Sequence, residues 1–146
     1  MLFSKILVAV DGGAPAARAA RAGYALAQEL KSEVRLFHAV ELSTLAHVGI
    51  SAEEATKFTE REGQKVFSAL IDFLPPSANP QGIWAMGEPA EAILREALGW
   101  PADLLVIGSH GRDGMVRVLV GSVAENVIRH AACPVLVIKA STTVAE

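Results

Sequence analysis

Five short apolar runs punctuate this chain, at 6–10 (Ile-Leu-Val-Ala-Val), 34–40, 83–86, 103–108 and 135–138. Each has the length of a strand, and none alternates cleanly between apolar and polar positions. Unbroken apolar runs of this length suit strands of a parallel sheet buried on both faces. The segments between them carry apolar residues at spacings of three and four, the mark of amphipathic helices. The first helix opens at Pro15, where a missing N–H costs nothing, and presents Ala16, Ala19, Ala20, Gly23, Ala27 and Leu30 as a stripe of small residues. The second begins at a capping box, Ser51 with Glu54, and continues its face through Ala55, Phe58, Val66, Ala69, Leu70 and Phe73 until Pro75-Pro76. The third follows the turn Gly87-Glu88-Pro89, buries Ile93, Leu94, Ala97 and Leu98, and ends at Gly99 and Pro101. A fourth starts from another capping box, Ser122 with Glu125, buries Val123, Val127 and Ala131 with Ile128 beside them, and closes at Cys133-Pro134.

The order is therefore βαβαβαβαβ. Such alternation implies an α/β fold: a Rossmann-like sandwich with a five-stranded parallel sheet and four helices covering both faces. Residues 1–146 read as a single domain with a frayed tail at 140–146. In an open parallel sheet the ligand crevice lies beyond the carboxyl ends of the strands, where the strand order reverses. The loops after the first, second and fourth strands are the places to look for chemistry.

Composition narrows the field. Apolar residues make up 51% of the 146-residue chain and charged residues 20%, which excludes a disordered polymer. A net charge of −3 supplies no basic field for nucleic acid. No apolar run approaches the ~18 residues that a bilayer span needs. Lys5 and Asp11 break up the start of the chain, so it does not read as a signal peptide, and a cytoplasmic location is expected. The single cysteine, Cys133, allows no internal disulfide and reads as buried and inert. Among the histidines, His38 reads as a satisfied core residue and no pair has metal-ligand spacing.

The loop after the fourth strand carries the chemistry. It runs Gly108-Ser109-His110-Gly111-Arg112 and onward to Gly121-Ser122, a G-x2-G-x9-G-S pattern joining a strand end to a helix start. Glycines there let the backbone approach an anion and can take positive φ. A helix N-terminus offers free N–H groups and a favourable dipole to phosphate. The Ser122 hydroxyl could bond a phosphate oxygen or cap its own helix, and His110, Arg112 and Arg117 could add positive charge. At the end of the first strand, Asp11 could cap the first helix, bond adenine, or hold Mg²⁺ together with phosphate oxygens.

These residues resemble the universal stress protein family. The likeness runs through Lys5–Gly12, Phe37-His38-Ala39-Val40, Gly87-Glu88-Pro89 and the stretch from Ala102 to Val137, and it is thin over 41–80. The glycine pattern is similar to that of the family's ATP-binding branch. The resemblance implies that Gly108, Gly111, Gly121, Ser122 and Val123 hold triphosphate and ribose. It sets Asp11, with the backbone of Ala9 and Val10, against adenine and ribose, puts Val40 on the adenine, and leaves Ile107 just ahead of the phosphate loop. Gly13 and Ala16 stand where the family often has serines, which removes two hydroxyls from the site. The resemblance also implies a homodimer joined through the last strand, 135–138.

No Walker A lysine and no dinucleotide-type G-x-G-x-x-G is present. Phosphoryl transfer relies on positioned metal, lysine and arginine groups, and no base or water-orienting residue stands out. The expectation is a small stress-response protein that binds ATP, with or without Mg²⁺, as a nucleotide-dependent switch, hydrolysing it slowly at most. The alternatives are a nucleotide-free, chaperone-like interaction protein and a weak ATPase. The pattern does not distinguish ATP from ADP, AMP or cyclic AMP.

Overall fold

In the computed structural model the order of elements is β1 (Lys5–Ala9), α1 (Ala14–Leu30), β2 (Glu33–Val40), α2 (Ala52–Ile71), β3 (Gly82–Met86), α3 (Pro89–Gly99), β4 (Leu104–Gly108), α4 (Ser122–His130) and β5 (Val135–Ile138). The structure describes residues 2–11, 13–41, 49–109 and 120–139, without the side chain of residue 14. All five apolar runs are strands, and every strand pairing is parallel, in the order β3-β2-β1-β4-β5. The order turns back between β1 and β4, where Ala9 lies in register with Ile107.

The sheet separates two cores. Ile6 and Val8 of β1 point to one side, where they meet Ala16, Ala19, Ala20 and Ala27 of α1 and Val66, Phe67 and Leu70 of α2. Leu7 and Ala9 point to the other, among Phe37, Leu105, Ile107, the α3 residues Ala90, Ala92 and Ile93, and the α4 residues Ala124 and Val127. Alternate residues of β1 thus feed opposite cores, as period-two geometry requires, and both faces are apolar because helices cover both. The small-residue stripe of α1 lets that helix lie close. A Cβ on Gly23 would stand 2.5 Å from Cγ2 of Val8.

The start of β1 is fixed from the residue just ahead of β4. Asp103 Oδ2 accepts the backbone N–H of both Ser4 and Lys5, at 2.9 Å each. Close by, the Trp100 ring takes the Arg35 guanidinium at 4.5 Å and the Lys5 ammonium at 5.5 Å, and Arg35 pairs with Glu96 at 2.8 Å. Tyr24 is buried in the α1 core, and its hydroxyl finds no partner among the described residues. Burial pushes its pKa up to about 12.

Several helix faces differ from the periodic reading. On α2, Ala69 is exposed and Phe58 half-buried, while Thr59, Gly63 and Phe67 join the buried stripe. The helix ends at Ile71, ahead of the prolines, so Phe73 lies past it and is 53% exposed. On α3 the buried residues are Ala90, Ala92 and Ile93, and Leu98 is 68% exposed. On α4, Ala124 and Val127 are buried, Val123 and Ala131 half-buried, and Ile128 exposed. Spacing defines a stripe, but the angle at which a helix meets the sheet decides which edge of the stripe is covered. The first capping box is observed, with Ser51 Oγ accepting the Glu54 N–H at 3.1 Å. The second is not: the N-cap of α4 is Gly121, and Ser122 is already the first helical residue.

Candidate functional site

The carboxyl ends of β1 and β4 lie side by side, and two chain departures are built there. On β1, the Val10 N–H bonds the Phe37 carbonyl at 2.9 Å, extending the ladder with β2 by one residue. The Val10 carbonyl accepts from Nδ1 of His38 at 2.8 Å. A carbonyl is only an acceptor, so Nδ1 must carry the proton. Asp11 then turns its carboxylate back, and Oδ1 accepts the Gly13 N–H at 3.0 Å. This is an Asx turn, and it delivers the chain to Gly13, the N-cap of α1. Asp11 therefore sets the approach to the first helix without being its cap.

On β4 the chain passes through Gly108 to Ser109, which is 1% exposed. Ser109 N–H donates to the Ile138 carbonyl of β5 at 2.8 Å, and its own carbonyl accepts the Gly121 N–H at 2.6 Å. Ser109 thereby ties together the strand end, the edge strand and the entry to α4. The helix opens with no side-chain cap. By contrast, Ser51 caps α2 and the Glu88 carboxylate caps α3, accepting from Ala90 and Glu91 N–H at 3.1 and 2.9 Å. The first turn of α4, like that of α1, has a glycine N-cap and no side-chain cap, and Ser122 beside it is exposed, a polar end suited to an anion.

Apart from Gly108, the expected site residues fall into three groups. Asp11, Gly121 and Val123 are half-buried and Ser122 exposed, so these four present surface at the sheet edge. Ala9, Val10, Val40 and Ile107 belong to the core, with exposures of 6%, 5%, 2% and 6%. Their side chains offer little to a ligand, and the Val40 carbonyl already accepts the Gly87 N–H at 3.0 Å. His110, Gly111 and Arg112, like Arg117, lie outside the described residues.

The glycines serve differently from expectation. Gly121 is extended, with φ −68° and ψ 163°, and Gly108 does not take positive φ either. A Cβ on Gly108 would come within 3.3 Å of both Cβ and O of Pro15. Gly108 is thus the point where the start of α1 crosses the end of β4. Positive φ falls instead on Gly49 and Gly87 among the described glycines.

Sequence reasoning passed over two contributors. Ser109 stands in the motif without a role of its own, and His38 reads as a satisfied core residue. The place of Ser109 directly after Gly108 at the strand end is the signal for the first. The described residues contain no group of three or more histidine, cysteine, aspartate or glutamate side chains able to hold a metal. No described helix is long and apolar enough to cross a membrane. Cys133 is half-buried, and desolvation pushes its thiol pKa up, which keeps it in the unreactive protonated form.

Residues 2–139 match the model of the universal stress protein family. The chain belongs to that family. Among its relatives, universal stress protein MJ0531 of Methanocaldococcus jannaschii is 34% identical over 94% of this chain and 83% of its own length. The solved structure of protein MJ0577 from the same organism is 28% identical and superposes with a TM-score of 0.74, covering 98% of this chain and all of that one. Two further universal stress protein structures share the fold and were solved with nucleotides. One is a complex with cAMP (TM-score 0.69, 21% identity, 97% of this chain and 100% of that one). The other is the Archaeoglobus fulgidus protein with dAMP (TM-score 0.59, 24% identity, 95% and 100%).

Proposed function

We propose that this universal stress protein binds an adenine nucleotide, ATP in the first instance, across the carboxyl ends of β1 and β4, and works as a nucleotide-dependent switch. The observation that carries the reading is the N-terminus of α4. It opens at the point where the strand order turns back, lacks a side-chain cap, and carries an exposed serine. In the proposed complex the Ser122 and Val123 amides and the Ser122 hydroxyl hold phosphate oxygens. Asp11 faces the ribose and adenine, or shares Mg²⁺ with the phosphates, since one carboxylate needs phosphate oxygens to complete such a site. The expected phosphate contacts of His110, Gly111 and Arg112 fall on residues outside the described ones. The related structures with cAMP and dAMP support adenine as the base class.

Equilibrium dialysis with labelled ATP, ADP, AMP and cyclic AMP tests the reading. Purified protein should retain at least one of them at millimolar concentration, and retention of none would refute it. Gly121→Val is the discriminating variant. Its backbone is extended, so valine fits the conformation, and the loss of a glycine N-cap costs about 1 kcal/mol. The variant should stay folded while its branched side chain crowds the α4 amides and abolishes nucleotide retention.

A nucleotide-free interaction protein is the second reading, and Gly108 favours it. Close packing on Pro15 accounts for that glycine without any ligand. Wild-type protein that retains no nucleotide, together with a Gly121→Val variant that unfolds, would turn the balance that way.

We also propose that two copies associate along β5. This strand is an apolar edge of the sheet, and Leu136 is 38% exposed on it. An apolar edge with free ladder groups favours pairing with another strand. Light scattering at micromolar concentration should report a dimer, and Leu136→Lys should shift it to monomer. A wild-type monomer at that concentration would dispose of the idea.

A further inference from the structure

We propose that His38 is a positioning residue for the nucleotide site, acting through the end of β1. The inference rests on the binding reading above and adds a residue to it. The register of β1 and β2 ends at the pair Ala9 and Phe37. One residue on, the Val10 N–H still reaches the Phe37 carbonyl, but the Val10 carbonyl is held by a side chain, His38 Nδ1. The hydrogen-bonded edge of β1 thus finishes on an imidazole. From that fixed carbonyl the chain enters Asp11, whose carboxylate takes the Gly13 N–H. The peptide between Val10 and Asp11 has its carbonyl pinned at 2.8 Å, so the direction in which Asp11 leaves the sheet is set by the ring.

His38 is 7% exposed and sits inside β2, in register with Trp84 of β3. It does not itself offer a surface to ligand. Its effect on a nucleotide would pass through the placement of the Asp11 carboxylate. A purely apolar residue would fill the same space and leave the Val10 carbonyl short of a donor inside the protein. A buried acceptor without a partner is costly, and the chain end would shift to find water.

Two variants separate clamping from filling. His38→Leu keeps apolar bulk and removes the donor. His38→Asn places an amide N–H about where Nδ1 stands and loses bulk. If His38 only fills space, leucine should be tolerated at least as well as asparagine. If it clamps, the ranking reverses at the site. Amide exchange by NMR on the nucleotide-free protein reads the Gly13 N–H, and dialysis with labelled ATP reads affinity. His38→Leu should lose protection at Gly13 and bind ATP about tenfold more weakly or worse, while His38→Asn stays near wild type in both.

Equal Gly13 protection and equal ATP affinity in wild type and His38→Leu would overturn the inference and leave nucleotide binding standing. So would equal losses in the leucine and asparagine variants, which mark a packing role. Wild-type protein that retains no nucleotide would overturn the binding reading, and the role of His38 toward a nucleotide with it.

Discussion

Phe37→Ala is expected to lower the unfolding free energy by about 4 kcal/mol, because a buried phenylalanine deleted to alanine costs ~3–5 kcal/mol. Phe37 is 1% exposed and lies near the centre of the core that α3 and α4 make with the sheet. The core around it is built from strand residues on fixed backbones, among them Leu7, Ala9, Leu105 and Ile107. Strands tied on both sides cannot move in to fill the hole, so little of the cavity will collapse. The backbone of Phe37 also matters to the site, since its carbonyl receives the Val10 N–H. That bond survives the substitution, so nucleotide retention should outlast much of the stability loss at low temperature. Urea unfolding followed by circular dichroism provides the measurement, with the midpoint falling and the slope unchanged. A loss under about 1 kcal/mol would mean that the ring is not part of a close-packed core.

Gly23→Leu attacks the opposite face by the opposite route. Alanine alone would put a Cβ 2.5 Å from Val8 Cγ2, well inside the ~3.5–4.0 Å of a comfortable carbon contact. For alanine the strain is partly offset by the ~1 kcal/mol that a helix gains on losing a glycine. Leucine gains about the same in propensity and adds three more carbons with nowhere to go. Val8 is fully buried in the middle of β1, and its branched side chain has little rotamer freedom. The helix must therefore lift from the sheet, at a cost of about 3 kcal/mol or more. For a chain of this length, that corresponds to a melting temperature lower by roughly 10 °C. The lift would also carry the N-terminus of α1 away from Gly108, which packs against Pro15. Nucleotide retention should consequently fall in Gly23→Leu even where the protein remains folded. A melting temperature equal to wild type would show that α1 does not lie as close to β1 as the structure has it.

The strands were legible because burial on both faces leaves an unbroken apolar run, and few other local structures produce one of that length. The small-residue stripe of α1 was legible for a similar reason: alanine and glycine at helical spacing serve close approach, and Gly23 on Val8 is that approach. Leu98 was misplaced because a stripe has edges, and the sequence contains no record of the crossing angle that covers one edge and leaves the other wet; Phe73 was misplaced because α2 stops at Ile71, ahead of the prolines. Ser122 matched the capping box in type and spacing. The carbonyl of Ser109, arriving from β4, holds the Gly121 N–H and starts the helix one residue earlier than the motif requires.

From its sequence alone this chain determined its alternation of strands and helices and its family, since each follows from patterns local to a few residues. The tertiary structure decided what the described residues at the carboxyl ends of β1 and β4 do. Gly108 makes room for Pro15, Ser109 gathers three segments, and His38 holds the last carbonyl of β1. Those roles depend on distances between segments far apart in the chain, and such distances exist only once the sheet has brought its strands together.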